Sequence, residues 1–424
     1  STRVRSSAAS DVYKRQFYYF YLCNRKVKLE YYCMKILFFN IGPANPLLGG
    51  VQSVTHYLAH YFNSLGHEVY IISIYRTSDY LDDIQFYLPD QKRSDSDANK
   101  QFLMDFIKEM HIEIVINQTC LDPKLSVFLP VIKKMRVQLV SVFHTQPYGI
   151  YGIKAFPKIC NTISGEKIRN LVDAFMHFAF KLKYGKYLKR MLQYSDKLVM
   201  LSDKFINEFL YFTGKKYAEK VLSISNPVTI DGIFSGKKEK MVLFVGRISQ
   251  EKGVDKILEV WSGICHEEKY KEWQLVIIGD GEKREQLEKY AIDMKLINYS
   301  FEGFQKPDGY YDKAKIFCMA SSFEGFGLVL VEAMSYGVVP MAFNSFPNCS
   351  DIIDDNKNGI LITPFSINEY RKKIIELMEN DKKWMEMSAS SINKSKEYSI
   401  ECIGTKWLDL FYSLLNNKEL VNGE

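Results

Sequence analysis

Ile316-Phe-Cys-Met-Ala-Ser-Ser-Phe-Glu-Gly-Phe-Gly-Leu-Val-Leu-Val-Glu332 opens on four apolar residues, breaks at serines and glycines, and resumes as an apolar run closed by a carboxylate. The pattern predicts a buried strand over Ile316–Met319, a turn carrying Gly325 and Gly327, and a helix beyond. Backbone N–H groups at the start of such a helix have no internal partner and favour an anion, a diphosphate above all. Glu324 falls in the loop, where its carboxylate can accept from ligand hydroxyls. Glu332 lies more than a turn into the helix and can hold a second hydroxyl pair, such as a diol. Taken alone, the stretch fits equally well a strand–turn–helix with glycines for geometry and two solvated glutamates.

A second stretch bears on that choice. Val245-Gly-Arg-Ile-Ser-Gln-Glu-Lys-Gly253 ends the predicted strand Met241–Val245 and runs into a helix over Val254–Trp261. Arg247 and Lys252 share one short loop at a strand C-terminus, where a guanidinium fork and an ammonium point charge can jointly neutralise a diphosphate. An exposed loop also carries such residues for solubility. Two such motifs on equivalent edges of one predicted sheet make coincidence a poorer explanation.

Outward from these stretches, short β-branched runs alternate with amphipathic ones, the signature of βαβ units and parallel sheets. The first half reads as strands Met34–Asn40, Glu68–Tyr75, Glu113–Gln118, Val137–Phe143, Lys197–Leu201 and Lys220–Ile224. Helices fall over Gly50–Leu65, Lys100–Met110, Lys124–Lys134 and Glu166–Tyr194, with another after Ser202. The second half restarts with strands Met241–Val245, Trp273–Ile278, Tyr299–Glu302, Ile316–Met319 and Val338–Phe343. The polar stretch Asn226–Lys240 reads as the linker. A chain of 424 residues is too long for one ordinary core. Two Rossmann-like halves with a ligand cleft at their strand C-termini follow.

In the first half, Leu48-Gly49-Gly50-Val51 precedes a helix and lets backbone approach a phosphate closely, although a simple tight turn explains it too. His144, in Val142-Phe-His-Thr-Gln-Pro147, ends a strand facing the predicted cleft. A lone histidine is more often structural, and its strand-terminal place is what makes this one a candidate.

Composition narrows the function classes. The net charge is +6, but seven basic and two acidic residues precede Met34, so the body is near neutral and no nucleic-acid partner is expected. The eight cysteines are scattered singly, with no CxxC pair and no Cys/His cluster of zinc spacing. They read as reduced, mostly buried thiols of a cytoplasmic protein, with no metal site. The one DxD-like triplet, Asp95-Ser-Asp97, reads as solvated surface. Residues 1–33 read as a leader outside the fold, non-native or disordered. Phe17–Cys23 is too short to span a bilayer, and a short membrane anchor is the rival reading. Basic residues from Lys167 to Arg190, interleaved with aromatics, allow the long helix to lie on an anionic membrane, or to be an ordinary amphipathic helix.

Glu324–Glu332 resembles the E-x7-E motif of retaining glycosyltransferases with the GT-B fold. Gly246-Arg247 through Lys252-Gly253 resembles their GR…KG loop, and the pairing points to family 4. The resemblance extends to Gly49-Gly50, His144, Asn226-Pro227-Val228, Ile278-Gly279-Asp280-Gly281 and Asn358-Gly359, and covers 34–424. It implies an α/β GT-B chain, two Rossmann-like domains with parallel sheets facing across a cleft. The expected division is an acceptor-binding domain over 34–228, a nucleotide-sugar domain over 229–398, and a helix over 399–424 packing back on the first.

The resemblance also implies roles. Arg247 and Lys252 would bind the donor diphosphate and Glu332 the ribose, while Glu324 would contact the transferred sugar. Phe326, Gly327 and Leu328 would offer amides, Gly50 would approach the phosphates, and His144 would touch the sugar near the reacting carbon. The function implied is retaining hexosyl transfer from a nucleotide diphosphate-sugar to a glycan or lipid-linked acceptor in cell-surface polysaccharide or lipopolysaccharide biosynthesis. No metal and no cofactor would be needed, because fixed cations offset the leaving-group charge. The site would be cytoplasmic, with peripheral contact to the inner membrane face in view. A nucleotide-sugar epimerase and an inactive nucleotide-sugar-binding protein are the alternatives on the same scaffold. A dehydrogenase is disfavoured because Asn40 to Val51 does not make GxGxxG.

Overall fold

In the computed structural model the described residues are 32–422, apart from 78–79, 81, 121, 148, 150–165 and 231–234. The reading of residues 1–31 as a leader, and the Gly232 part of the linker, lie outside them. Strands β1 (Lys35–Asn40), β2 (Glu68–Ser73), β3 (Gln85–Tyr87), β4 (Ile114–Asn117), β5 (Gln138–Phe143), β6 (Lys197–Met200) and β7 (Val221–Ser223) form one sheet. Its order is β3-β2-β1-β4-β5-β6-β7, and every pairing is parallel. A second sheet holds β8 (Met241–Val245), β9 (Gln274–Ile278), β10 (Tyr299–Gly303), β11 (Ile316–Met319), β12 (Val339–Phe343) and β13 (Ile360–Ile362). Its order is β10-β9-β8-β11-β12-β13, again all parallel.

The strands are apolar along their length because helices cover both sheet faces. Each residue of β4 and of β11 is buried. In both sheets the chain reverses its direction of travel at the centre, between β1 and β4 and between β8 and β11. A crevice opens outside the strand C-termini at such a switch point, because successive loops diverge there. The loops after β1, β4, β8 and β11 are therefore where a ligand is expected.

The sequence reading found neither β3 nor β13. Each is a three-residue strand at the edge of its sheet. The helix expected from Lys100 begins at Asp97, because Ser96 caps it by accepting from the Asn99 N–H. Asp95-Ser-Asp97 thus straddles a helix start, with Asp97 exposed and paired to Lys100 at 2.9 Å.

The C-terminal helix Ile400–Asn422 returns to the first sheet and packs on the helix Gly50–Ser64. Phe411 meets Phe62 edge-on with ring centroids 5.5 Å apart. Trp407, Leu408 and Phe411 join Val54, Leu58 and Phe62 in one core. Contacts between the two halves also run through Tyr398, whose carbonyl accepts from the Val228 N–H at 2.7 Å and whose ring packs on Phe326.

Candidate active site

The loop after β8 and the loop after β11 touch through Gly253. Its φ is +65°, and a Cβ there would lie 2.3 Å from the Ala320 carbonyl oxygen. Only glycine meets both conditions without moving the backbone. Ser322 N–H donates to the Glu251 carbonyl at 2.8 Å and closes the same junction. The junction sets Lys252 beside Glu324. Lys252 Nζ lies 2.6 Å from Glu324 Oε1, and the Ser321 hydroxyl donates to that oxygen at 2.7 Å. The side chains are 23% and 11% exposed, so the pair is shielded from bulk water yet reachable from one side. Arg247 stands exposed on the same basic loop.

Glu332 sits deeper. It is 8% exposed on the helix Leu328–Ser335, which Gly327 opens with φ +88°. The Thr229 hydroxyl donates to one carboxylate oxygen at 2.7 Å and the Tyr311 hydroxyl to the other at 3.3 Å. Burial raises its carboxyl above the usual range, against the pull of those two hydroxyls. The structure does not bring Glu332 into contact with the Lys252–Glu324 pair. It places it in a separate hydroxyl-lined niche, and Thr229, read from sequence as linker, belongs to that niche. Neither Thr229 nor Tyr311 carries a sequence signal, because each lies far from Glu332 along the chain.

On the other side stands His144, just past β5. Its Nε2 bonds the Gln118 side-chain oxygen, and Gln118 in turn reaches the Thr55 hydroxyl at 3.4 Å. A carboxamide oxygen can only accept, so His144 Nε2 carries the hydrogen and Nδ1 presents a lone pair. Nδ1 is buried and has no partner. Burial pushes the imidazole down to about 4, which keeps it neutral near pH 7. Gln118 was not singled out from sequence; its position at the end of β4, beside the switch point, was the available signal. Phe326 is buried, Leu328 begins the helix Leu328–Ser335, and Gly50 begins its own helix behind Gly49 (φ +107°).

Unpartnered buried polar atoms gather at these strand ends. Both side-chain polar atoms of Asn40, at the end of β1, lack a partner, as do His144 Nδ1, Thr145 Oγ1 and Asn348 Oδ1. Leaving such an atom unpaired costs about 1–3 kcal/mol, so their concentration marks where a polar ligand completes the hydrogen bonding. The arrangement can offset growing negative charge with Lys252 and Arg247, and receive hydroxyl groups at Glu324 and His144. No helix among the described residues is long and apolar enough to cross a membrane.

The family described as Glycosyl transferases group 1 matches residues 229–396. An uncharacterized glycosyltransferase of Haemophilus influenzae is 29% identical over 54% of this chain and 67% of its own length. A poly(ribitol-phosphate) alpha-N-acetylglucosaminyltransferase of Staphylococcus aureus is 32% identical over 62% of this chain and 54% of its own. The chain thus spans about half to two thirds of these relatives. HepE of Anabaena, solved in complex with UDP and glucose, shares the fold with a TM-score of 0.67 at 16% identity, over 90% of this chain and all of that one. Residues 229–396 thus match the glycosyl transferases group 1 family, and the whole is a GT-B fold of two parallel-sheet halves.

Proposed function

We propose that this protein transfers a hexosyl group from a nucleoside diphosphate-sugar to a glycan or lipid-linked acceptor with retention of configuration, in the manner of family 4, in the building of cell-surface polysaccharide. The observation that carries the reading is the Lys252–Glu324 pair at the meeting of two switch-point loops, with His144 and Asn348, each bearing an unpartnered buried polar atom, against the adjoining Gly325–Phe326 backbone.

In the proposed reaction the anomeric C–O bond to the diphosphate breaks, and its electron pair leaves with the phosphate oxygen. Lys252, Arg247 and the amides of Phe326, Gly327 and Leu328 offset that charge in a preorganised site. The acceptor hydroxyl attacks the face the phosphate leaves, and its proton passes to the departing phosphate oxygen. Glu324 accepts from hydroxyls of the transferred sugar. His144, neutral, accepts from another hydroxyl near the reacting carbon through Nδ1. Glu332 takes the ribose diol on the remaining lone pairs of a carboxylate that Thr229 and Tyr311 hold in place. Gly50 allows backbone to approach the phosphates from the first half. Fixed cations supply what a metal ion would otherwise do in the cleft.

The reading extends to a membrane-borne acceptor. On the helix Glu166–Tyr194, Leu171, Phe175, Phe178 and Leu182 are 71%, 67%, 52% and 67% exposed. Their spacing puts them on one stripe, with exposed Lys183, Lys186, Lys189 and Arg190 farther along the helix. An apolar stripe with cationic neighbours suits the headgroup region of an anionic bilayer. The side chains of Lys167 and Arg169 lie outside the described residues.

A screen of UDP-, GDP- and ADP-sugars by thermal shift, followed by donor hydrolysis and product stereochemistry by NMR, tests the core of the reading. UDP-sugars come first, since HepE holds UDP. A stabilising donor that is slowly hydrolysed with the α configuration kept is the expected result. A donor that binds and is never turned over favours an inactive binding protein, and an epimerised sugar favours the epimerase alternative.

A further inference from the structure

His56 and His60 lie four residues apart on the helix Gly50–Ser64, so both rings stand on one face. Their ring centroids are 4.3 Å apart. Opposite them, Asp82 Oδ2 lies 2.8 Å from His60 Nε2 and 3.5 Å from His56 Nδ1. One ligand atom from each of the three residues falls within 4.8 Å of the others. We propose that His56, His60 and Asp82 form a zinc site, distinct from the sugar-transfer cleft, that clamps this helix to the edge of the first sheet.

The chemistry of the donors selects the ion. Two imidazole nitrogens and one carboxylate oxygen are the mixed set that suits Zn²⁺, whereas Mg²⁺ and Ca²⁺ require oxygen ligands. Bonds of about 2.0–2.2 Å from a tetrahedral ion place neighbouring ligand atoms roughly 3.3–3.5 Å apart. The separations around Asp82, 2.8 and 3.5 Å, bracket that value, and the two imidazole nitrogens, within 4.8 Å of each other, close on an ion by rotamer adjustment, with the ring hydrogen of His60 on Nδ1 so that Nε2 offers its lone pair. The carboxylate is held for the purpose by groups around it. Asp82 Oδ1 accepts from the Ile84 N–H at 3.3 Å, the Asp82 carbonyl accepts from Gln85 at 2.9 Å, and the Ile84 carbonyl accepts from Ile71 on β2 at 2.8 Å. Such outer contacts orient a ligand before the metal arrives.

The Tyr80 hydroxyl stands 3.1 Å from His56 Nδ1 and 3.4 Å from Asp82 Oδ2, next to the fourth position, where it can hold a bound water. Asp82 is 7% exposed and His60 43%, so the site has a buried floor and an open mouth. It lies roughly 9–15 Å along the helix from Gly50. The ion would therefore brace the helix whose first turn faces the cleft without meeting the reacting atoms. The site stands independently of the sugar-transfer reading.

The test uses the full chain without a histidine tag, stripped with EDTA and titrated with zinc chloride by calorimetry, with the metal counted by mass spectrometry after dialysis. One zinc per chain is expected, with affinity at least about tenfold weaker in His60→Gln and in Asp82→Asn, and no response to Mg²⁺. Cobalt loading should give visible ligand-field bands without thiolate-to-metal charge transfer. Circular dichroism of each variant separates lost binding from lost folding. Unchanged zinc affinity in the His56→Gln/His60→Gln double variant, a thiolate band that places the ion on cysteines, or no zinc uptake by the wild-type chain would each overturn the proposal.

Discussion

Gly325 and His144 meet across the two sheets: a Cβ on Gly325 would lie 2.3 Å from the His144 carbonyl oxygen. One belongs to the loop after β11 and the other to the end of β5, so the missing side chain lets the two halves of the cleft close upon each other. Gly325→Ala forces that backbone contact apart. Overpacking of this kind costs about 1–3 kcal/mol. The variant should melt lower and lose most of its turnover, measured by calorimetry and donor consumption, whereas Gly309→Ala, with open space around it, should do neither.

Lys252 and Glu324 depend on each other. Removing one charge leaves the other uncompensated in a part-buried site, so Lys252→Ala and Glu324→Ala should each lower kcat/KM by at least about a hundredfold while the chain stays folded. The double variant Lys252→Met/Glu324→Gln should recover the melting temperature of the wild type but none of its activity. Recovery of activity as well would mean that the pair is only structural.

Two buried histidines set a pH dependence. His67 accepts from the Met34 N–H through Nδ1 at 3.3 Å, and burial pushes it, like His144, down to about 4. Between about pH 6.5 and pH 4 the unfolded chain takes up protons that the folded chain refuses. Stability therefore falls as pH drops through that window, by up to roughly 3 kcal/mol for each histidine. Glu332, raised by burial, stabilises at low pH and loses that contribution as pH rises, so it opposes the trend. The comparison that isolates the histidine is His67→Asn, which keeps an acceptor but cannot charge. Its melting temperature should fall less than the wild type's between pH 7 and pH 5.

The hydroxyls on Glu332 hold the carboxylate in place. Tyr311→Phe and Thr229→Val each remove one of them. We expect a severalfold rise in donor KM with kcat nearly kept, because a ribose contact formed equally in ground and transition states affects binding alone. A fall in kcat with KM unchanged would contradict the ribose role.

The stripe on the helix Glu166–Tyr194 should govern lipid contact. Phe175→Ser/Phe178→Ser should lower sedimentation with anionic phosphatidylglycerol vesicles, at low salt, and leave transfer to a soluble acceptor untouched. Equal sedimentation of wild type and variant would remove the membrane element of the reading.

Much of the fold was legible in the chain. Continuous apolar runs at strands such as β4 and β11 reflect burial on both faces, a local consequence of a two-sided sheet. Gly253 and Gly327 mark turns whose positive φ only glycine takes easily. What escaped was short or distant. The short edge strands β3 and β13 were missed, and Ser96 moved a helix start by capping it.

The amino-acid sequence by itself determined the alternation of strands and helices, the two halves, and the charged loops at strand ends, because periodicity and turn chemistry are written over a few neighbouring residues. Only the tertiary structure decided which of those charges meet. Lys252 reaches Glu324 because Gly253 lies against Ala320, Glu332 is met by Thr229 and Tyr311, and His60 faces Asp82. Each of these pairings joins residues on different elements, and it is the packing of the sheets and helices, rather than any local pattern, that brings them within a hydrogen bond of one another.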